Sequence, residues 1–498
     1  MSSSPQPPAG QGAGVSPARV TALTLAIIVS CELMLMLDST IMNVALPMIG
    51  QGLGFSPSGL SWVTNSFLLA FGGLLLLGGR AGDILGRRRA FLIGVAVFTA
   101  ASLLAGVAQN PAWLIAARAL QGAGAALAGP STLALLTTNF SGDRQAKALS
   151  VYSSVTASAM TLGLILGGII TTLANWRWVL LINVPIGLLV LLLAPKHVAE
   201  SPRHSGRFDL SGALTSAIGV LAVVFALVRT ADHGWGDPVT LVILAVGVVL
   251  LAVFVAIERR AGQPIMPLGL FANRARAAGF TNMLLVPMVT MSFQFLIIQF
   301  LQLVLGFSPL QAGLAFLPMA VGLLITSRTA IKVLGRYGGK PTAAGGLVLL
   351  AGGAGWLISI SASTTYFGGV FGPMLLVGLA LGLIIVPINM AIMSTVDPAD
   401  AGAASGVLQT TMMTGSALGI AILSAIYAST VDSQSAVGIS HESIALGMRH
   451  GFIASTVFAV LALLITLVIL KTPAPAPTAA TAVEEEAPAQ AEPSSSAS

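Results

Sequence analysis

Long apolar runs broken by short polar segments recur from about residue 20 to residue 470, and nothing else in the chain constrains its fold as much. A bilayer core about 30 Å thick takes roughly 20 apolar residues per helix, and inside it every backbone polar group must be bonded within the protein. On that ruler the sequence predicts spans at 20–46, 57–79, 90–108, 112–138, 148–173, 178–194, 210–228, 239–257, 278–305, 311–332, 343–360, 367–393, 403–428 and 450–470. Hydrophobic residues make up 55% of the chain and charged ones 8%, a balance far from that of soluble domains. The expected fold class is therefore an all-α polytopic membrane protein of about fourteen transmembrane helices.

The basic residues orient these spans, because short cytoplasmic loops collect Lys and Arg. With both termini cytoplasmic, nineteen of the 23 basic residues fall inside, from Arg19 through Arg87, Arg88, Arg89, Arg203, Arg207 and Lys340 to Lys471. Only Arg177, Arg229 and Arg449 fall outside, and Arg118 lies within a span. An odd number of spans would scramble this segregation. The net charge of +6 thus reads as anchoring to the inner leaflet, and nucleic acid is not an expected partner. The bilayer is.

The chain also repeats itself. "GFSPSGLSW" at 54–62 enters the second span and "GFSPLQAGL" at 306–314 the tenth, 252 residues later. Such an offset implies two parallel halves with a cavity between them. The expected organisation is a disordered N-tail over 1–19, a six-helix half over 20–195, a linker with two extra helices over 196–277, a second six-helix half over 278–470 and a disordered tail over 471–498. The last segment, rich in Pro, Ala, Glu and Ser, buries too little apolar surface to fold.

Across the spans the ionisable side chains are few: Glu32, Asp38 and Arg118. Each costs about 2.5–3.5 kcal/mol at the bilayer centre, so such groups face a wet cavity or a partner. In "CELMLMLDSTIMNVALP", residues 31–47, helical geometry puts Glu32 and Asp38 about 9 Å apart along the axis and about 120° apart around it. Glu32 shares a stripe with Met36, Ser39 and Asn43, while Asp38 lies on a neighbouring face with Cys31 and Met34. Loss of hydration favours the neutral form of a carboxylate and a nearby arginine restores the charged form, so an acid beside Arg118 can couple proton movement to conformation.

Enzyme chemistry has little support. His197, His204, His233, His441 and His450 lie in loops or at span boundaries, so no metal site is expected within the bundle. Cys31 is the one cysteine, which excludes a disulfide framework, and no phosphate-binding G-x-x-x-x-G-K-[ST] occurs. No cofactor is expected beyond protons as coupling ion.

Several stretches then carry a resemblance. "LDSTIMNVALP", "GGRAGDILGRRR", "RALQGAGAA" and "GFSPLQAGLAFLP" resemble the major facilitator superfamily, within it the fourteen-span drug:proton antiporters. The resemblance implies that Asp38 and Arg118 handle protons and that Gly79, Asp83, Gly86 and Arg87 form a gating loop at the cytoplasmic face. The helix-five stretch "TLGLILGGII" keeps Gly163, Gly167 and Gly168 as packing positions but has Leu164 where that family has proline. Glu32 stands outside the signature, as a second protonation site or a device for cationic substrates. Asn43, Asn65, Gln294, Gln299 and Asn389 are candidates to line a substrate cavity, or else to bind helices to one another.

The implied function is proton-coupled export of hydrophobic compounds, cationic ones included, across the bacterial inner membrane by a protein that works as a monomer. Two readings compete with it: a proton symporter or facilitator for a small metabolite, favoured by the missing helix-five proline, and a non-transporting membrane scaffold.

Overall fold

The computed structural model describes residues 17–201, 209–261, 264, 266–397, 400–434 and 440–469. The two tails expected to be disordered, apart from residues 17–19, and the loop carrying Arg203 and Arg207 lie outside the described residues. Within them every regular element is a helix. In chain order these are α1 (Pro17–Leu53), α2 (Pro57–Leu85), α3 (Arg87–Gly106), α4 (Pro111–Asn139), α5 (Gly142–Leu173), α6 (Arg177–Leu181), α7 (Asn183–His197), α8 (Leu210–His233) and α9 (Pro238–Arg260). There follow α10 (Arg274–Gln299), α11 (Pro309–Leu314), α12 (Leu317–Tyr337), α13 (Gly339–Trp356), α14 (Phe371–Met393), α15 (Ala401–Gln434) and α16 (His441–Ile469). Thirteen helical segments among the described residues are long and apolar enough to cross a membrane. Over the remaining expected span, 148–173, α5 runs 32 residues and includes the apolar stretch Leu162–Leu173.

Two expected spans are each broken, and the same chemistry breaks both. Pro185 has no N–H to give the carbonyl of Leu181, where α6 ends, and Pro318 has none for Leu314, where α11 ends. By contrast α5 is a single helix through Leu164, which supplies the N–H that a proline there would lack. Short π-helical stretches at Phe300–Val304 and Tyr366–Val370 extend α10 and precede α14.

Packing repeats as the sequence does. In the first six-helix group α2 and α3 lie on α4, and α1 and α3 on α7, with α1 also against α5. The second group pairs α12 and α13 with α14, α10 and α13 with α16, and α10 with α15. The groups meet where α2 runs along α15 and where α5 meets α11, and the α8–α9 hairpin leans on α2 and α15.

With lipid no more polar than Leu, these seams gain little from the hydrophobic effect and depend on close contact, which small residues allow. A Cβ at Gly78 would stand 2.0 Å from the carbonyl oxygen of Ala126 on α4, and one at Gly163 would stand 1.8 Å from Oγ1 of Thr40 on α1. Gly167 lies against Ile41 in the same seam, whereas Gly168 faces Leu310 of the other group. Gly78→Ala is therefore expected to cost about 1–3 kcal/mol through overpacking. Gly345, with nothing within 4 Å, should accept alanine without loss, and thermal unfolding in detergent compares the two.

Candidate functional site

Asp38 and Arg118 meet in the first helix group, both wholly buried. Asp38 is carried by α1 and Arg118 by α4, and Nη1 of Arg118 lies 2.5 Å from Oδ2 of Asp38. The other carboxylate oxygen accepts from the side-chain amides of Asn183 on α7, at 2.8 Å, and Gln121 on α4, at 3.2 Å. Gln121 also accepts from Arg118 at 2.9 Å and donates to Ser102 on α3 at 2.7 Å. Three donors thus converge on one carboxylate from two neighbouring helices, and both of its oxygens are engaged.

Arg118 has further supports. Its Nε donates to the carbonyl of Val63 on α2 at 3.1 Å, and the guanidinium lies 4.5 Å from the ring centroid of Phe67. Its Nη2 has no hydrogen-bond partner among the described residues. With three acceptors already engaged, Nη2 of this dry arginine leaves one donor for a fourth.

Glu32 occupies a separate place on α1, as the helical spacing requires. It is 4% exposed and faces the hydroxyls of Tyr152 and Thr156 on α5. Among the described residues no Lys or Arg lies within ion-pair distance of it, since the four ion pairs found there involve Asp83, Glu200, Asp38 and Asp237. A cleft of about 310 Å³ opens between α1 and α5, lined by Leu33, Ser150, Val151, Ser154, Val155, Ser158 and Leu162 but not by Glu32 itself. The two acids are thus electrostatically unlike: one has a built-in cation, the other only hydroxyls.

The residues expected to form a gating loop are mostly helical. Gly79 and Asp83 sit in the last turns of α2, and only Gly86 lies between α2 and α3, with a φ of 99° that favours glycine. Arg87 pairs with Asp83 one turn back and also donates to the carbonyl of Gly79 at 3.4 Å. Gly79 itself makes no close approach, its nearest neighbour being Pro130 at 4.0 Å; Gly78 takes that part in the α2–α4 seam. The N-terminus of α3 is satisfied from afar: the N–H of Arg88 donates to Glu200 at 2.9 Å and that of Arg87 to Ser201 at 3.1 Å.

The five amides expected to line a cavity separate. Asn43 is buried, and Gln299 is spent on the carbonyl of Phe295 within its own helix. Gln294 lines a small pocket with Leu164, Gly313, Phe316 and Met319 where the two helix groups meet. Neither amide atom of Asn65, nor Oδ1 of Asn389, has a partner among the described residues. Asn183, Gln121 and Ser102 escaped sequence reasoning, although Gln121 stands one turn from Arg118 within the same quoted motif. Gln302 did too; its amide crosses between groups to the carbonyl of Val44 at 2.9 Å.

Comparison with known proteins places this geometry in a family. Residues 28–420 match the model of the Major Facilitator Superfamily. The cephamycin export protein CmcT of Amycolatopsis lactamdurans is 39% identical, over 85% of this chain and 89% of its own. The puromycin resistance protein pur8 of Streptomyces alboniger is 36% identical, over 89% and 90%. Among solved structures, a bacterial homologue of the human lysosomal transporter Spinster, in an inward-facing and unoccupied conformation, gives a TM-score of 0.66 at 17% identity over 93% of this chain and all of that one. A peptide transporter in complex with sulfate gives 0.63 at 16% identity, over 92% and 99%. The chain is a multi-pass membrane protein belonging to the major facilitator superfamily, a transporter rather than an enzyme.

Proposed function

We propose that this protein exports hydrophobic antibiotics or drugs across the bacterial cytoplasmic membrane in exchange for protons. The observation that carries the reading is the buried Asp38–Arg118 pair, the one place among the described residues where two opposite charges are held fully dry. Relatives named for cephamycin export and puromycin resistance support the substrate class.

The end of the bundle where Arg87, Arg88, Lys196 and Arg276 gather faces the cytoplasm, by the charge asymmetry of the loops. At the opposite end the groups are in contact. There Gln302 reaches α1, and a Cβ at Gly313 would stand 2.4 Å from the carbonyl oxygen of Leu164. Export then follows from the electrostatics of one pair. A proton arriving from outside neutralises Asp38 and cancels its attraction for Arg118. The guanidinium is left buried and uncompensated, an unfavourable state that favours a rearranged packing of α1 on α4. Loss of the proton to the cytoplasm restores the ion pair. A charge crossing 100 mV is worth about 2.3 kcal/mol, enough to bias such a two-state equilibrium.

Glu32 enters this scheme as the group facing the substrate. A carboxylate that meets hydroxyls and no cation is neutralised either by a proton or by a cationic compound, so its occupancy depends on the charge of what is carried.

Three outcomes test these roles. Asp38→Asn in proteoliposomes should reduce substrate-driven proton movement at least tenfold; full retention would overturn the proton assignment, and pH changes of the opposite sign would identify a symporter. Arg118→Ala should cost about 3–5 kcal/mol of stability by stranding Asp38, while Asp38→Leu with Arg118→Met recovers most of that stability without recovering coupling, as thermal unfolding and transport assays would report. Glu32→Gln is expected to weaken export of cationic compounds at least tenfold and leave neutral ones within about twofold, as read from toxicity in an efflux-deficient host.

A further inference from the structure

From Arg259 to Val396 the chain contains eight Lys and Arg residues and not one Asp or Glu. Four of the eight gather at the end of α12 and the start of α13: Arg328, Lys332, Arg336 and Lys340. The first three stand four residues apart, on one stripe of the helix, and all three are exposed. Each ion pair among the described residues uses Arg87, Arg88, Arg118 or Arg229, so the stripe has no protein counter-ion there. Asp397 and Asp400, the nearest acids in sequence, make no such pair with it. Arg276, at the same end of the bundle, spends its guanidinium on the carbonyls of Thr395 and Gly269.

Helix packing decides what the stripe faces. Met319, Gly322, Thr326 and Ala330 are the buried side of α12, and a Cβ at Gly378 or Gly382 of α14 would strike Met319 or Thr326. Val321 and Ile325 lie on the other side, each 48% exposed, and the same side continues into Arg328, Lys332 and Arg336. Read along the axis, this face is first apolar and then cationic. The segment Pro309–Tyr337 has 29 residues. At 1.5 Å per residue it is about 43 Å long and exceeds a hydrocarbon core of about 30 Å by roughly nine residues. Those nine are residues 329–337, so Lys332 and Arg336 emerge at headgroup depth with Arg328 at the boundary, while Val321 and Ile325 remain among the acyl chains.

We propose that this face of α12 is a docking site for anionic phospholipid, with Arg328, Lys332 and Arg336 on the headgroup phosphate and Val321 and Ile325 against the chains. The stripe has no acid paired with it among the described residues, and the apolar-to-basic order matches one lipid molecule from tail to head. Tyr337 adds an amphipathic ring at the same depth, its centroid 5.4 Å from the Arg336 guanidinium.

The test uses the full chain purified in detergent and titrated with phosphatidylglycerol, phosphatidylcholine or inorganic phosphate, with bound lipid counted by native mass spectrometry. The native chain should retain phosphatidylglycerol in preference to phosphatidylcholine. Arg328→Gln, Lys332→Gln and Arg336→Gln combined should weaken that retention at least fivefold. A charge-matched control, Arg144→Gln, Lys147→Gln and Lys196→Gln, should leave it within twofold. Equal loss in the control, equal binding of the two lipids, or displacement by millimolar phosphate would each overturn the proposal. Should the triple variant fail to fold, Lys332→Gln alone should lower retention at least twofold and Lys332→Arg should restore it; failure of either overturns the assignment.

Discussion

Everything in the first helix group is arranged around a charge that cannot be left alone. Asp38 and Arg118 are wholly buried, and stranding either one without the other costs about 3–5 kcal/mol. Their pairing solves part of the problem, and the amides of Asn183 and Gln121 solve the rest by filling the second carboxylate oxygen. The consequence is structural as well as functional. One carboxylate fixes α1 against α4 and α7, Gln121 carries the network to Ser102 on α3, and Val63 brings in α2. A pair that holds five helices together is also one whose neutralisation all five would register.

The contacts that make this possible are backbone-close. Helices in a membrane do not gain by hiding apolar surface from apolar lipid, so their adhesion depends on how near they can come. Gly78 and Gly163 bring α2 onto α4 and α5 onto α1, and Gly168 does the same between the two groups. One seam between the groups has a further feature. The α5–α11 seam is made where short α11 breaks off at Pro318, and Gln302 crosses beside it from a π-helical stretch. The break at α11 and the π-helical stretch at Phe300–Val304 put irregular backbone beside this seam.

The cytoplasmic turn between α2 and α3 is held by a longer-range device than its sequence suggests. Asp83 and Arg87 are a local pair one helical turn apart. Glu200 and Ser201, more than a hundred residues away, cap α3 and bring the start of the linker to the same turn. Farther along the chain α8 packs on α2 and α15, one from each group.

Much of this was legible in the order of residues, because it depends on local period and on solvent. Span lengths, the gathering of cations at one end, and the 252-residue echo needed no partner to be recognised. That Glu32 and Asp38 point to different surroundings follows from 100° per residue alone, and the structure gives them Tyr152 and Arg118 in turn. The breaks at Pro185 and Pro318 were readable in principle but fell within runs apolar enough to pass for single spans. What the tertiary structure alone decided is which polar group meets which. Asn183 could not be told from an amide binding two helices, nor Gln299 from one lining a cavity, since the same residue type serves each purpose and the choice depends on a neighbour 145 positions away or one turn away. Likewise Gly78, not Gly79, makes the close approach to α4, because a rotation of 100° separates two adjacent glycines and only packing says which one faces the partner.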